Sequence, residues 1–351
     1  MKSVAVWVSE PGEVVLRELE LRRPDRGEVV IEADYSTLSP GTERHIILGA
    51  EFRPPVALGY SLAGHIAAVG SDVTRFKIGD AVVASAPHAS HVIVDERAVV
   101  AAPSDVDLEQ GAFFNLAHTA LYGIRQSGLR LGEAVAVLGQ GIVGLLAARL
   151  AQLAGAVPVI ALDLDENRLA LSRQLGIHEV INAKDTDRLR KLLDNLPGGG
   201  APVVIEVTGA RAPLEQALDI VSVRGRIVML GMTHGDETVQ FHRPLSMKGA
   251  ALIGAYVNSK PWSLLQTDME IKEWPPALAE GSRSYSGPGI FTSVDDIRAI
   301  LDLLKYKTLD LRPLITDRIT PAQVPSTYRR VLDKDPSLVG AVIHWRQSPR
   351  A

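Results

Sequence analysis

Three glycines carry the clearest chemistry in this chain. Ala134-Val135-Ala136-Val137-Leu138 is a short apolar run that leads straight into Gly139-Gln140-Gly141-Ile142-Val143-Gly144. The pattern is helical from 142 to 154. A strand, a glycine turn and a helix in that order make a cradle for phosphates. Gly139 permits the sharp turn, Gly141 lets the backbone approach a pyrophosphate, and Gly144 lets the helix pack close to the strand. Ile142 and Val143 open the helix, where unpaired N–H groups and a positive dipole end attract an anion. Asp163 ends the next apolar run, Val159-Ile160-Ala161-Leu162, about 20 residues further on. A carboxylate there can accept both ribose hydroxyls of an adenosine and repels a 2′-phosphate, so the pair predicts NAD. Arg168 bears on the same choice, because a guanidinium nearby can hold a 2′-phosphate or stack on adenine.

These residues need a scaffold, and the sequence changes grammar to supply one. From 1 to about 120 short apolar runs alternate with Gly, Pro and Asp, which predicts an irregular, all-β domain. Beyond Leu131 strand-like and helix-like segments alternate. Strands are expected at 134–138, 157–162, 179–182, 203–207, 226–230 and 251–257, and helices at 142–154, 166–175, 186–193 and 212–221. Such alternation implies a parallel sheet covered on both faces. Residues 259–290 interrupt it with Trp262, Trp274, Pro275, Pro276 and Tyr285, and read as a lid-like excursion or an ordinary surface loop. A helix at 294–304 and a strand at 338–345 close the chain.

Taken together, these segments resemble the medium-chain dehydrogenase/reductase superfamily over nearly the whole length. The glycine turn carries the likeness, with Asp163-Leu164-Asp165-Glu166-Asn167-Arg168-Leu169, Val204-Ile205-Glu206-Val207-Thr208-Gly209 and Gly225-Arg226-Ile227-Val228-Met229-Leu230-Gly231. In the first domain Gly59-Tyr60-Ser61-Leu62-Ala63-Gly64-His65 and Gly79-Asp80-Ala81-Val82 match as well. The resemblance implies an α/β protein: an N-terminal GroES-like β domain (1–122 and 292–351) plus a Rossmann-type domain with a doubly wound parallel sheet (123–291). It adds Thr208 and Gly231 to the residues expected to line the cofactor.

Zinc-dependent members hold their metal with a Cys in a Cys-x-Thr/Ser-Asp pattern, a Gly-His-Glu motif and a further Cys or acid before a Thr-Ala helix start. This chain has Pro40-Gly41-Thr42-Glu43, Gly59-Tyr60-Ser61 and, near the third place, Asn115, and it contains no cysteine. None of these replacements is a good zinc ligand. The four-cysteine structural lobe is also replaced, by Ser85-Ala86-Pro87-His88-Ala89-Ser90-His91. His88 and His91 read there as ordinary surface residues, so no metal is expected.

Without zinc, hydrogen-bond donors and a general base must act alone. By the resemblance, Thr42 matches a substrate-contacting hydroxyl and His45 the end of a proton relay. Tyr60 and Asn115 replace metal ligands, and His118 sits beside them. Tyr60 can donate to a substrate oxygen or merely fill the cavity, and His118 can act in the site or cap the helix carrying Tyr122. Glu43 matches a buried structural acid and stays outside the chemistry. The expected activity is zinc-independent hydride transfer between NAD(H) and a secondary alcohol or ketone, with a polyol, cyclitol or sugar-like substrate. The alternatives are a zinc-free quinone or enoyl reductase using NADPH, and a non-catalytic cofactor-binding protein.

Composition bounds the partners. The net charge is −4, with 41 acidic and 37 basic residues, and no Lys/Arg run supports a nucleic-acid partner. No apolar run approaches the roughly 18 residues of a membrane span. The N-terminus lacks the features of a signal peptide. The expectation is a cytoplasmic oxidoreductase with a small-molecule substrate, assembled as a homodimer or homotetramer through the cofactor domain.

Overall fold

The computed structural model describes residues 1–50, 52–232, 238–260, 262 and 292–346. The chain forms two compact units, Met1–Leu116 with Ile300–Ala351, and Ala117–Ala299. The divisions fall inside the helices Phe114–Gln126 and Ser293–Lys305 rather than at the expected 122 and 292. The excursion expected at 259–290 lies almost wholly outside the described residues.

The first unit is mainly antiparallel sheet. Glu28–Thr37 is its hub and pairs with Leu62–Val69, His91–Asp95 and the late strand Ala341–His344. Lys2–Glu10 pairs separately with Glu13–Glu20 and Val56–Ala57. Ile31, Leu62, Ile66 and Val82 fill one core, and Val6, Val8, Leu38, Ile47, Tyr328 and Ile343 fill another. Each such side chain contributes about 1.5–3 kcal/mol when fully buried. The all-β expectation for 1–120 needs correction here, because Pro40–Ile47 is a helix. Proline at the start of this helix supplies the right φ where its missing N–H costs nothing. Ile47 and Glu43 point into the core.

The second unit is the expected doubly wound sheet. Its strands lie in the order Glu179–Asn182, Val159–Asp163, Val135–Leu138, Ala201–Glu206, Val221–Met229, Ala251–Gly254, all parallel. The two strands nearest the glycine turn are buried almost throughout, as a sheet covered on both faces requires. The chain order reverses at Val135–Leu138, and ligands bind such sheets beyond the carboxyl ends of the strands at that point. Asp165 fixes the next helix, Glu166–Gln174, by accepting from the N–H groups of Asn167 and Arg168 at 2.9 and 3.1 Å. A cap of this kind is worth about 1 kcal/mol.

Candidate functional site

In the second unit the site begins at the end of Val135–Leu138. Gly139 has φ +94°, and a Cβ there would lie 2.6 Å from Cγ2 of Thr208. A Cβ on Gly144 would run into the carbonyl oxygen of Gly139, so the helix Ile142–Leu153 sits directly on the turn. Gly141 differs, since a Cβ there meets nothing within 4 Å. The space over Gly141 is open, and this residue is the helix N-cap without a capping side chain. Ile142 is buried and anchors the helix start, while Val143 is half-buried. An open face over bare backbone N–H groups suits a pyrophosphate.

Asp163 is the second fixed point. Its Oδ2 accepts from the N–H of Gln140 at 2.6 Å, and its Oδ1 from the N–H of Asp165 at 2.9 Å. A carboxylate has about four lone-pair sites, so acceptor capacity remains for ribose hydroxyls. The Arg168 guanidinium approaches Oδ2 at 3.8 Å and is 34% exposed. Gln140 is fully buried, donates to the Val137 carbonyl at 2.9 Å and accepts from Ser172 at 3.1 Å.

Glu206 is a residue that the sequence reading quoted but gave no role. It is fully buried at the end of its strand and accepts from the N–H groups of Thr208, at 2.7 Å, and Gly209, and from the Thr208 hydroxyl. Burial pushes its carboxyl up, against the pull of those donors. Glu206 thereby shapes the loop that carries Thr208 against Gly139. Gly231 packs on the backbone of Val207 and Gly209, which closes the floor of this turn.

His118 lies inside the helix Phe114–Gln126, so the capping alternative does not hold. It is 4% exposed, and its Nε2 has no partner among the described residues. Burial and the Lys260 ammonium push its imidazole down to about 3. Lys260 in turn is paired with the fully buried Asp296, which Arg125 also engages at 2.6 Å. His118 is therefore neutral at physiological pH and offers a hydrogen bond rather than a titrating proton.

In the first unit Thr42, Glu43 and Asn115 come close to Tyr60. Thr42, Glu43 and His45 lie on the helix Pro40–Ile47, and Tyr60 stands just before the strand Leu62–Val69. Tyr60 is half-buried as a residue. The packing around its hydroxyl pushes the phenol up to about 12, the Glu43 carboxylate adds to this, and the Ser39 and Thr42 hydroxyls work the other way. Asn115 donates from Nδ2 to the Tyr60 carbonyl at 2.7 Å and to Ser85 Oγ at 3.2 Å. Ser61 donates to the Ala112 carbonyl at 2.6 Å. The turn that presents Tyr60 is thus tied down on both sides. His88 corrects another expectation: it is fully buried, not a surface residue, and it bonds Glu43 at 3.1 Å.

The three places that hold zinc in metal-dependent relatives offer a poor donor set. Proline has no donor atom, the Tyr60 phenol resists ionisation, and the Asn115 amide is engaged with Tyr60 and Ser85. Among the described residues no three His, Cys, Asp or Glu side chains come together as a metal would require. Pro40, Tyr60 and Asn115 at those places include no Cys, His, Asp or Glu. The glycine turn with Asp163 does fit a dinucleotide.

Known proteins share this fold. Residues 25–104 match the alcohol dehydrogenase GroES-like domain, and residues 143–278 match the zinc-binding dehydrogenase family. Through these two parts the chain is similar to alcohol dehydrogenase-like oxidoreductases. It is 27% identical over 293 residues to L-threonine 3-dehydrogenase of Pyrococcus horikoshii, covering 72% of this chain and 82% of the relative. It is also 27% identical over 260 residues to (R,R)-butanediol dehydrogenase of Bacillus subtilis, covering 63% and 75%. D-xylulose reductase of Saccharomyces cerevisiae is 25% identical over 287 residues, covering 69% and 78%. Among solved structures, 2R,3R-butanediol dehydrogenase from Bacillus subtilis has a TM-score of 0.79 at 21% identity, covering 98% of this chain and 100% of that one. A putative zinc-binding dehydrogenase from Sinorhizobium meliloti 1021 bound to NADP has 0.77 at 20%, covering 98% and 100%. An Escherichia coli CFT073 dehydrogenase complexed with NADH has 0.79 at 16%, covering 98% and 99%. These structures share the α/β fold, with its GroES-like and Rossmann-type parts. No helix among the described residues is long and apolar enough to cross a membrane.

Proposed function

We propose that this protein moves a hydride between NAD(H) and a secondary alcohol or ketone without help from a catalytic metal, and that its substrate is a polyol, cyclitol or sugar-like alcohol. The observation that carries this reading is the donor set around Tyr60: a phenol that resists ionisation, beside Thr42, where metal-dependent relatives place a zinc ligand. The butanediol and xylulose enzymes named above support the substrate class.

The bound dinucleotide supplies or accepts the hydride. The chain's own residues would manage the oxygen and the proton. Tyr60 donates a hydrogen bond to the substrate oxygen as charge develops there. Thr42 orients the substrate hydroxyl, and His45 on the same helix exchanges its proton with solvent, the neutral-pH chemistry that imidazole suits. His118 holds a polar substrate group while staying neutral. Asn115 acts through Tyr60, whose backbone it fixes. Gly139, Gly141, Ile142, Val143 and Gly144 cradle the pyrophosphate. Asp163 takes the adenosine ribose, and Thr208 and Gly231 form the neighbouring wall.

A second reading, a quinone or enoyl reductase using NADPH, draws on Arg168. Its guanidinium is partly exposed beside Asp163 and can turn toward a 2′-phosphate. Calorimetric titration separates the two, because tighter binding of NADP than of NAD defeats the first. Stoichiometric zinc by elemental analysis would overturn the metal-free claim. A panel of secondary alcohols scanned for NADH absorbance tests the substrate class, and silence across alcohols, quinones and enoyl compounds leaves a non-catalytic binder. We further propose a cytoplasmic homodimer or homotetramer joined along Ala251–Gly254, the outer strand of the parallel sheet.

A further inference from the structure

The glycine turn and the acid that follows it are joined twice. The first link is direct: Asp163 Oδ2 accepts from the Gln140 N–H at 2.6 Å. The second runs through buried side chains. Gln140 Oε1 accepts from the Ser172 hydroxyl at 3.1 Å, and Ser172 lies near the end of the helix Glu166–Gln174. That helix starts from Asp165, whose N–H is held by Asp163 Oδ1 at 2.9 Å. The bonds therefore close a ring: turn to acid, acid to helix start, helix body back to the turn. Gln140 and Ser172 are both fully buried. Gln140 Nε2 is engaged with the Val137 carbonyl at 2.9 Å, which fixes the amide one way round and leaves its oxygen to Ser172. The Ser172 hydroxyl has a second acceptor within reach, the Arg168 carbonyl at 3.2 Å, one turn back in the same helix.

A buried amide bonded at both ends is a costly way to fill a core, since apolar side chains would fill it without losing water. Its place gives it another use. A dinucleotide reaches from the helix start beyond Gly141 to Asp163, so the spacing of these two points is part of its recognition. The Gln140 N–H faces Asp163, which leaves the N–H groups beyond Gly141 to the phosphates. To admit a 2′-phosphate Asp163 must draw back, and Asp165 with the start of its helix moves with it. The Ser172–Gln140 bond ties that helix to the turn and opposes the movement. We infer that Gln140 and Ser172 are positioning residues that fix the spacing between the phosphate cradle and the ribose acid, and so sharpen the choice between NAD and NADP without touching either. This rests on the proposed preference for NAD and deepens it: selectivity belongs to the ring and not to the Asp163 charge alone.

The test compares the two dinucleotides on the full chain by calorimetry. Ser172→Ala removes one hydroxyl inside a helix, where alanine is well tolerated. Gln140→Met keeps the length of the side chain and removes both of its bonds. In each variant NAD affinity should fall about three- to tenfold, the span of one lost hydrogen bond, with NADP affinity nearly unchanged. The ratio of the two affinities then narrows. Ser172→Thr keeps a hydroxyl and should hold the parental ratio. Hydrogen exchange adds a readout that needs no ligand: the Gln140 N–H should lose protection in Ser172→Ala. Affinities that fall equally, or do not fall at all, overturn the proposal, and so does an unmoved Gln140 N–H. A parent that binds NADP more tightly defeats the NAD reading instead. The ring then stands if Ser172→Ala narrows that preference and falls if it does not.

Discussion

On the proposed reading the Tyr60 hydroxyl acts on the substrate oxygen, so its removal should be felt in turnover and not in affinity. Tyr60→Phe keeps the ring that packs in the turn and deletes only the donor. Steady-state kinetics should show kcat reduced about 10²-fold with KM little changed, the mark of an interaction made in the transition state. An equal rise in KM with kcat intact would mean that the phenol only binds. His118 gives a different signal, written in stability. Its imidazole is held near 3 in the folded chain, whereas an unfolded histidine titrates near 6.5. The unfolded chain therefore binds the extra proton first as pH falls. Stability from this residue is complete above about pH 6.5 and drains away toward pH 3. By pH 5 the loss should be roughly 2 kcal/mol. Thermal melts at pH 7 and pH 5 should therefore converge more closely in His118→Gln than in the parent. The burial and the partners of such residues are not legible in the sequence. The sequence offered His88 as a surface histidine, because its bond to Glu43 joins positions 45 residues apart and Glu43's further partner, Tyr328, comes 285 residues after Glu43.

Elements of the second unit were readable because each is long, apolar and locally consistent. The strand Glu179–Asn182 falls where expected, and the helix Ile142–Leu153 differs from expectation by one residue. Pro40–Ile47 escaped notice for the opposite reason. Pro-Gly-Thr-Glu-Arg-His has the composition of a loop, and its helix is held by tertiary contacts at Ile47 and Glu43. The outer strand was read as 251–257 but stops at Gly254, where the chain turns toward a short 3-10 segment at Val257–Ser259. Helix packing on the glycine turn also yields a prediction. Gly144→Ala puts a methyl into the Gly139 carbonyl, which is backbone and cannot swing away. NAD binding measured by calorimetry should weaken at least tenfold, and the melting temperature should fall with a loss of about 1–3 kcal/mol. Gly141→Ala meets open space and should keep the fold, so any loss of affinity there reports the ligand itself.

For the whole molecule, the α/β plan with a GroES-like and a Rossmann-type part followed from the motifs. The units part within two continuous helices, and no change of residue pattern marks such a point. Light scattering should find a dimer or tetramer. Lysine in place of Leu252 or Ile253, on the outer strand, should shift it toward smaller species if that edge is the joint.

Asp163 bears on all of this in one further way. The same carboxylate that is proposed to take a ribose also holds the Gln140 N–H of the glycine turn and the Asp165 N–H that leads into the next helix. Recognition and scaffold are thus soldered at one atom pair. An engineer who exchanges Asp163→Ser to admit a 2′-phosphate removes a strut along with a repulsion. Such a variant should melt earlier than its parent and gain less NADP affinity than the lost charge alone would give. On the proposed reading, preference for one dinucleotide is inherited as a property of the turn's architecture, and drift away from it requires a second change that rebuilds the support.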